Sequence, residues 1–184
     1  MGKTGLSIIE EEKNKITIKV SAQVEKDGKL LLIKEKTPSS EGYKWNVIKG
    51  TFNPLGDRTL EDAITREIKE ETGISHFHVL KMTNSFVVKK KDETIVQINY
   101  HVTTKEDINI DNIRLEDDED IIELKLFAKD ELLKMRENDF LTKRAFILIN
   151  DWTRKETVNR YLSNKSKLNR RRGKLGGRLS PRIT

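Results

Sequence analysis

Cysteine is absent from the 184 residues. Disulfide scaffolds, cysteine zinc sites and thiol nucleophiles are therefore excluded, and a reducing cytoplasm is the expected compartment. Proline is scarce, at three residues, and aromatics make up only 6% of the chain. With so few rings, Trp45 and Tyr100 read first as core residues and only second as platforms for a base. No run approaches the roughly 18 apolar residues of a membrane-spanning helix. Residues 1–15 lack the apolar stretch of a secretory signal, so no membrane partner is expected. Apolar residues reach 35% and charged residues 36%, against usual values of about 45–50% and about 25%. The apolar residues are clustered all the same, and the length suits one globular domain.

Charge is unevenly spread. The net charge is +6, yet Ser163 to Thr184 hold eight basic residues, densest at Arg170-Arg171-Arg172, and no acidic ones. Without those eight charges, residues 1–162 stand at −2. The expected organisation is a polar arm over 1–14, a domain over 15–162, and a basic, disordered tail over 163–184. Such a tail would attract a phosphate backbone without base specificity. A weak RNA contact through it is weighed against a merely solubilising role.

Ile16, Ile18, Val20, Ala22 and Val24 alternate as in a half-buried strand. Asp27-Gly28 marks a hairpin turn before the apolar run Leu30 to Ile33. Tyr43 to Ile48 reads as a short strand. Strands are also expected at Phe77–Leu80, Ser85–Lys89, Thr94–Thr103 and Ile121–Phe127, and helices at Lys129–Arg136 and about Phe140–Leu162. Between the early and late strands, Thr59 and Asp62 have capping-box spacing, Leu60, Ala63, Ile64 and Ile68 have helical spacing, and Gly73 is a C-terminal stop.

That helix carries the informative residues. At 100° per residue from Leu60, Glu67 falls near 340°, Glu71 near 20° and Glu70 near 280°, an arc overlapping the apolar face. The three carboxylates also sit in the last turn, where the helix dipole disfavours negative charge. Glu67 and Glu71 are moreover a repulsive i,i+4 pair. Most helical glutamates form a solvated face, and Arg66 and Lys69 would serve as partners for one here. The apolar-side placement favours a hard divalent cation, Mg²⁺ or Mn²⁺, held by carboxylate oxygens. His76, His78 and His101 have no ligand spacing, and Ser39-Ser40 lacks the context of a serine nucleophile.

The run Arg66-Glu67-Ile68-Lys69-Glu70-Glu71-Thr72-Gly73-Ile74 resembles the second half of the Nudix box, G-x5-E-x7-R-E-U-x-E-E-x-G-U, at every specified position. The resemblance extends over about residues 15–160. The first half departs: the pattern asks for glycine at 52 and glutamate at 58, where Phe52 and Arg58 stand. Gly50 and Asp57 supply a glycine and an acid if the loop between them is slightly long.

The resemblance implies an α/β fold, a Nudix-type α/β/α sandwich with a mixed, curved sheet. It implies metal-dependent hydrolysis of a diphosphate linkage in a nucleoside diphosphate joined to another moiety. Glu67, Glu70 and Glu71 would hold Mg²⁺, with Mn²⁺ as a substitute. Arg66 would orient them, and one of the three would double as base. A base from the acidic segment Glu116–Asp120, and a phosphate contact from Lys49, are further options. The expected partner is a small-molecule nucleotide, and the candidate substrates are nucleoside triphosphates, ADP-ribose, dinucleoside polyphosphates and capped or triphosphorylated RNA ends. The oligomeric state stays open, a dimer included. The competing reading is a catalytically weakened domain that senses a nucleotide or associates with RNA through its tail.

Overall fold

The computed structural model describes residues 15–38, 42–108 and 121–155. The arm over 1–14, the segment Glu116–Asp120, Ser39-Ser40 and the basic tail lie outside these residues.

Seven strands form one mixed sheet: β1 (Lys15–Lys26), β2 (Lys29–Lys36), β3 (Tyr43–Asn46), β4 (Ile48–Thr51), β5 (Phe77–Lys89), β6 (Glu93–Thr104) and β7 (Ile121–Phe127). The helices are α1 (Leu60–Thr72), the short α2 (Lys129–Leu132) and α3, over 143–155. β1 and β6 run parallel at the centre, with β5 antiparallel on the outer side of β6. The β1–β2 hairpin closes through Asp27 and Gly28, both with positive φ (51° and 72°). That is the type I′ geometry matching strand twist, and it favours Asp-Gly in these two positions.

The other edge of β1 is shared. Its C-terminal end pairs with β2, Val24 opposite Leu31, and its middle pairs with β4, Ala22 opposite Ile48 and Ser21 opposite Lys49. Past Leu31, β2 leaves β1 and takes β3 as its neighbour, Ile33 opposite Asn46. The chain thus crosses from β2 to β1 between Asn46 and Ile48, and the sheet splits there. β7 lines the far edge of β2.

Two apolar layers make this an α/β/α sandwich. On one face, Ala63, Ile64 and Ile68 of α1 pack on Val20, Ala22, Val24, Leu31, Ile33, Tyr100 and Val102. On the other, Ala145, Leu148, Ile149 and Trp152 of α3 pack on Leu30, Leu32, Val47 and Phe127. Each fully buried isoleucine or leucine contributes about 1.5–3 kcal/mol over its exposed state, so α1 is fixed by its apolar stripe rather than by helix propensity. Tyr100 lies in the first layer, and Trp45 packs edge-on to Phe127 with centroids 4.7 Å apart, so both rings serve the core.

Four expectations need correction. Tyr43 to Ile48 is not one strand: β3 ends at Asn46 on β2, and β4 starts at Ile48 on β1. Phe77–Leu80 and Ser85–Lys89 belong to one strand, β5, whose pairing with β6 slips at Val79/Lys81 and Met82/Asn84. The extra residues at the two bulges are Leu80 and Thr83, and the strand runs on through Lys81 to Asn84. The helix expected over Lys129–Arg136 ends at Leu132, and a 3-10 turn (Glu137–Asp139) follows. Phe140 pairs with Trp45 in an isolated bridge. α3 starts only after Thr142, whose hydroxyl accepts from the Ala145 N–H at 3.1 Å.

Candidate functional site

The start of α1 is fixed by a reciprocal cap. The Thr59 hydroxyl accepts from the Asp62 N–H at 3.0 Å, and the Asp62 carboxylate accepts from the Thr59 N–H at 2.9 Å. At the other end Gly73 adopts φ 70°, and its N–H closes onto the Lys69 carbonyl. Between these stops the helix crosses β4, with its last two turns above Lys49, Gly50 and Thr51.

Glu67 faces inward and is buried, 9% exposed. Its carboxyl group lies directly on the Gly50 backbone, and a Cβ at residue 50 would occupy the carboxylate's own position. Gly50 is therefore required for close approach, not for an unusual backbone angle. Burial raises the Glu67 pKa, against the lowering effect of Arg66.

Arg66 is the hub of the outer edge. Its guanidinium bonds both Asp57 oxygens, each at 3.1 Å, and the Thr51 carbonyl at 3.1 Å. It also pairs with Glu67 at 2.7 Å and Glu70 at 3.0 Å. Asp57 is buried, and the Arg66 guanidinium holds its carboxyl below the usual range. The Asn53 N–H donates to Asp57 and the Asp57 N–H to the Asn53 carbonyl. The loop from Gly50 to Asp57 is longer than the box pattern by one residue, and this reciprocal closure brings Asp57 to Arg66 in place of the expected glutamate at 58. Arg58 points to solvent.

Glu71 lies one turn beyond Glu67. Burial, first among the causes, pushes its pKa up to about 8. Lys49 opposes that rise, while Glu35 and Glu67 add to it. Glu71 Oε2 is buried and has no hydrogen-bond partner among the described residues. The Lys49 ammonium is bonded elsewhere, to Glu35 at 2.6 and 2.9 Å. Glu35 also accepts from Asn46 Nδ2 at 2.5 Å.

Of the residues singled out from the sequence, Glu67 and Glu71 are thus brought together over Lys49–Gly50, with Arg66 bracing Glu67. Glu70 stands at the rim of the same group: its side chain is 56% exposed, and it shares Arg66 Nη1 with Glu67. Among the described residues no three His, Cys, Asp or Glu side chains converge as a ready metal cage. The donors present still fit a hard divalent ion. An unpartnered buried carboxylate oxygen stands beside a second desolvated carboxylate, and Mg²⁺ ordinarily takes one or two carboxylates and completes its shell with water and phosphate oxygens. His101 bonds Glu25 at 2.9 Å and His76 bonds Glu106 at 3.3 Å, so both have structural partners. Glu35 and Asn46 escaped sequence reasoning. Neither lies in a motif, and only the split of the sheet brings them beside Lys49.

A model of the NUDIX domain matches residues 16–147. The ADP-ribose pyrophosphatase of Methanocaldococcus jannaschii is 44% identical over 57 residues, 31% of this chain and 32% of that protein. The match therefore spans about a third of that relative's length. A NUDIX hydrolase from Nitrosomonas europaea superposes with a TM-score of 0.59 at 25% identity, covering 75% of this chain and 88% of the other. The NUDIX domain of Shewanella oneidensis NrtR, complexed with ADP ribose, superposes with a TM-score of 0.54 at 17% identity, covering 78% and 88%. That last likeness speaks for the fold alone.

Proposed function

The chain belongs to the NUDIX family, and from that premise we propose that it is a metal-dependent diphosphohydrolase acting on a nucleoside diphosphate linked to a second moiety. ADP-ribose is the first substrate to test. The observation that carries this reading is the buried, unpartnered Glu71 oxygen beside Glu67. The 57-residue likeness to an ADP-ribose pyrophosphatase supports the choice of substrate.

Glu67 and Glu71 would hold Mg²⁺, or Mn²⁺ in its place, with Glu70 at the exposed rim as a third carboxylate donor. When bound, the cation supplies charge neutralisation on the diphosphate oxygens and orientation of the anhydride. The rest of the work belongs to the chain. Gly50 lets the Glu67 carboxylate reach the floor of the site. Arg66, itself anchored by Asp57 and Thr51, holds Glu67 in place with a charge-assisted bond.

In the reaction a water oxygen forms a bond to one phosphorus, and the bridging P–O bond on its far side breaks. The water's proton passes to one of the box carboxylates, and the departing phosphate takes the bridging oxygen with its electron pair. With ADP-ribose the products are AMP and ribose 5-phosphate. Phosphorus NMR of the reaction mixture tests this directly. Loss of the two diphosphate resonances and growth of two monoester resonances, in the presence of Mg²⁺ and not of EDTA, is the expected result. An intact diphosphate across a panel of nucleotides would contradict it.

A further inference from the structure

Taking Glu67 and Glu71 as the metal holders proposed above, we infer that Glu35 is a positioning residue that keeps the Lys49 ammonium away from Glu71, leaving that carboxylate open to the cation.

The arrangement is otherwise hard to account for. Lys49 is next to Glu71, since both its charge and its backbone act on the Glu71 carboxylate. A lysine stem is long and flexible, and a buried carboxylate oxygen without a partner is its natural target. Yet Glu71 Oε2 has no partner, and the ammonium is bonded to both oxygens of Glu35. The Lys49 and Glu35 side chains are only 25% and 12% exposed, so the pair is more than a solvent-screened contact.

The fold places Glu35 for this task. β2 has already parted from β1 at this point, and the pairing of β2 with β7 is irregular between Lys34 and Glu35. The side chain enters the split of the sheet, where Asn46 Nδ2 bonds the same Oε2 that Lys49 contacts. Asn46 so holds the carboxylate that holds the lysine. Without the Glu35 charge, the ammonium would turn to Glu71 and compete with the cation.

The test is a double-mutant cycle on the full chain, read as Mn²⁺ binding by the EPR signal of the free ion at fixed pH and salt, with no substrate present. Glu35→Gln keeps the size of the side chain and its acceptor for Asn46, and Lys49→Met keeps the stem. Glu35→Gln is expected to weaken Mn²⁺ binding about tenfold, the scale of one charge pair in a partly desolvated site. In the presence of Glu35, Lys49→Met should change binding less than about threefold, because that ammonium is already engaged. In the Glu35→Gln background the same substitution should recover about tenfold.

Equal effects of Lys49→Met in the two backgrounds would overturn the inference, since that is plain addition of charges. So would wild-type affinity in Glu35→Gln. Failure of the wild-type chain to bind Mn²⁺ would instead overturn the metal reading itself, and this inference with it. If Glu35→Gln does not fold, Glu35→Asp, which withdraws the carboxylate by one methylene, carries the same comparison.

Discussion

At Glu71, burial works against ionisation, and this has a consequence for stability. The carboxyl has an ordinary pKa of 4.5 and is raised to about 8 in the folded chain. Below 4.5 it is protonated folded or unfolded and costs nothing. Between about 4.5 and 8 the folded chain keeps a proton that the unfolded chain has released, so stability falls as pH rises, by at most about 1.4 kcal/mol per pH unit. Above about 8 the penalty is constant. In EDTA, unfolding midpoints measured from pH 5 to pH 8 should therefore fall for the wild-type chain and stay flatter for Glu71→Gln. Added Mg²⁺ should stabilise the wild type more at pH 8 than at pH 5, and stabilise Glu71→Gln little at either. Gly50 offers a second residue-scale test. Gly50→Ala displaces the Glu67 carboxylate, the movable partner. The unfolding midpoint in EDTA should move by only a few degrees, while Mg²⁺ affinity drops tenfold or more. At this scale the sequence was most legible where helix geometry alone set the environment. The wheel put Glu67 and Glu71 on the apolar side, and both are desolvated. The same wheel put Glu70 at the edge of the arc, and it faces solvent. Asp57 was legible only as an alternative, because whether it meets Arg66 depends on how the loop closes through Asn53.

The elements repeat this division between local and long-range determinants. α1 was legible from end to end, because Thr59, Asp62 and Gly73 are local signals and its stripe has one period. Thr59→Ala removes the acceptor for the Asp62 N–H and should cost about 1 kcal/mol in chemical denaturation. β6 shows the limit of periodicity. Gln97, Asn99 and His101 alternate with apolar residues, as they would on a solvated sheet face. Gln97 and Asn99 are nevertheless buried, because α3 lies over them. The Ser21 hydroxyl and Gln97 Nε2 both donate to Asn99 Oδ1, Asn99 Nδ2 donates to Asn84, and Arg144 of α3 donates to Gln97 at 3.0 Å. Gln23 reaches the Leu148 carbonyl. A strand pattern cannot reveal that a later helix will satisfy its polar face. Asn99→Ala leaves Ser21, Gln97 and Asn84 short of a partner and should cost about 1–3 kcal/mol, read as a lowered denaturation midpoint with Mg²⁺ affinity kept. The 3-10 turn at Glu137–Asp139 escaped for a related reason. Leu141 N–H donates to the Trp45 carbonyl at 2.8 Å, a contact between residues nearly a hundred positions apart.

For the whole molecule, the decisive feature is the split between β2 and β4. It opens the α1 face of the sheet beside Lys49 and Gly50, and the helix lays Glu67 and Glu71 over that opening. The sandwich itself was legible, since the box fixes α1 and the late strand-helix order fixes the second layer. The opening was not, because it depends on β1 exchanging one neighbour for another along its length. The most direct measurement is the rate of Mg²⁺-dependent ADP-ribose cleavage by the wild-type chain and by Glu71→Gln, with the unfolding midpoint of each recorded. If Glu67 and Glu71 form the hydrolytic site, the wild type turns over with Mg²⁺. Glu71→Gln should then lose roughly 10²-fold or more while remaining folded. A folded Glu71→Gln protein that hydrolyses ADP-ribose at the wild-type rate would contradict the assignment.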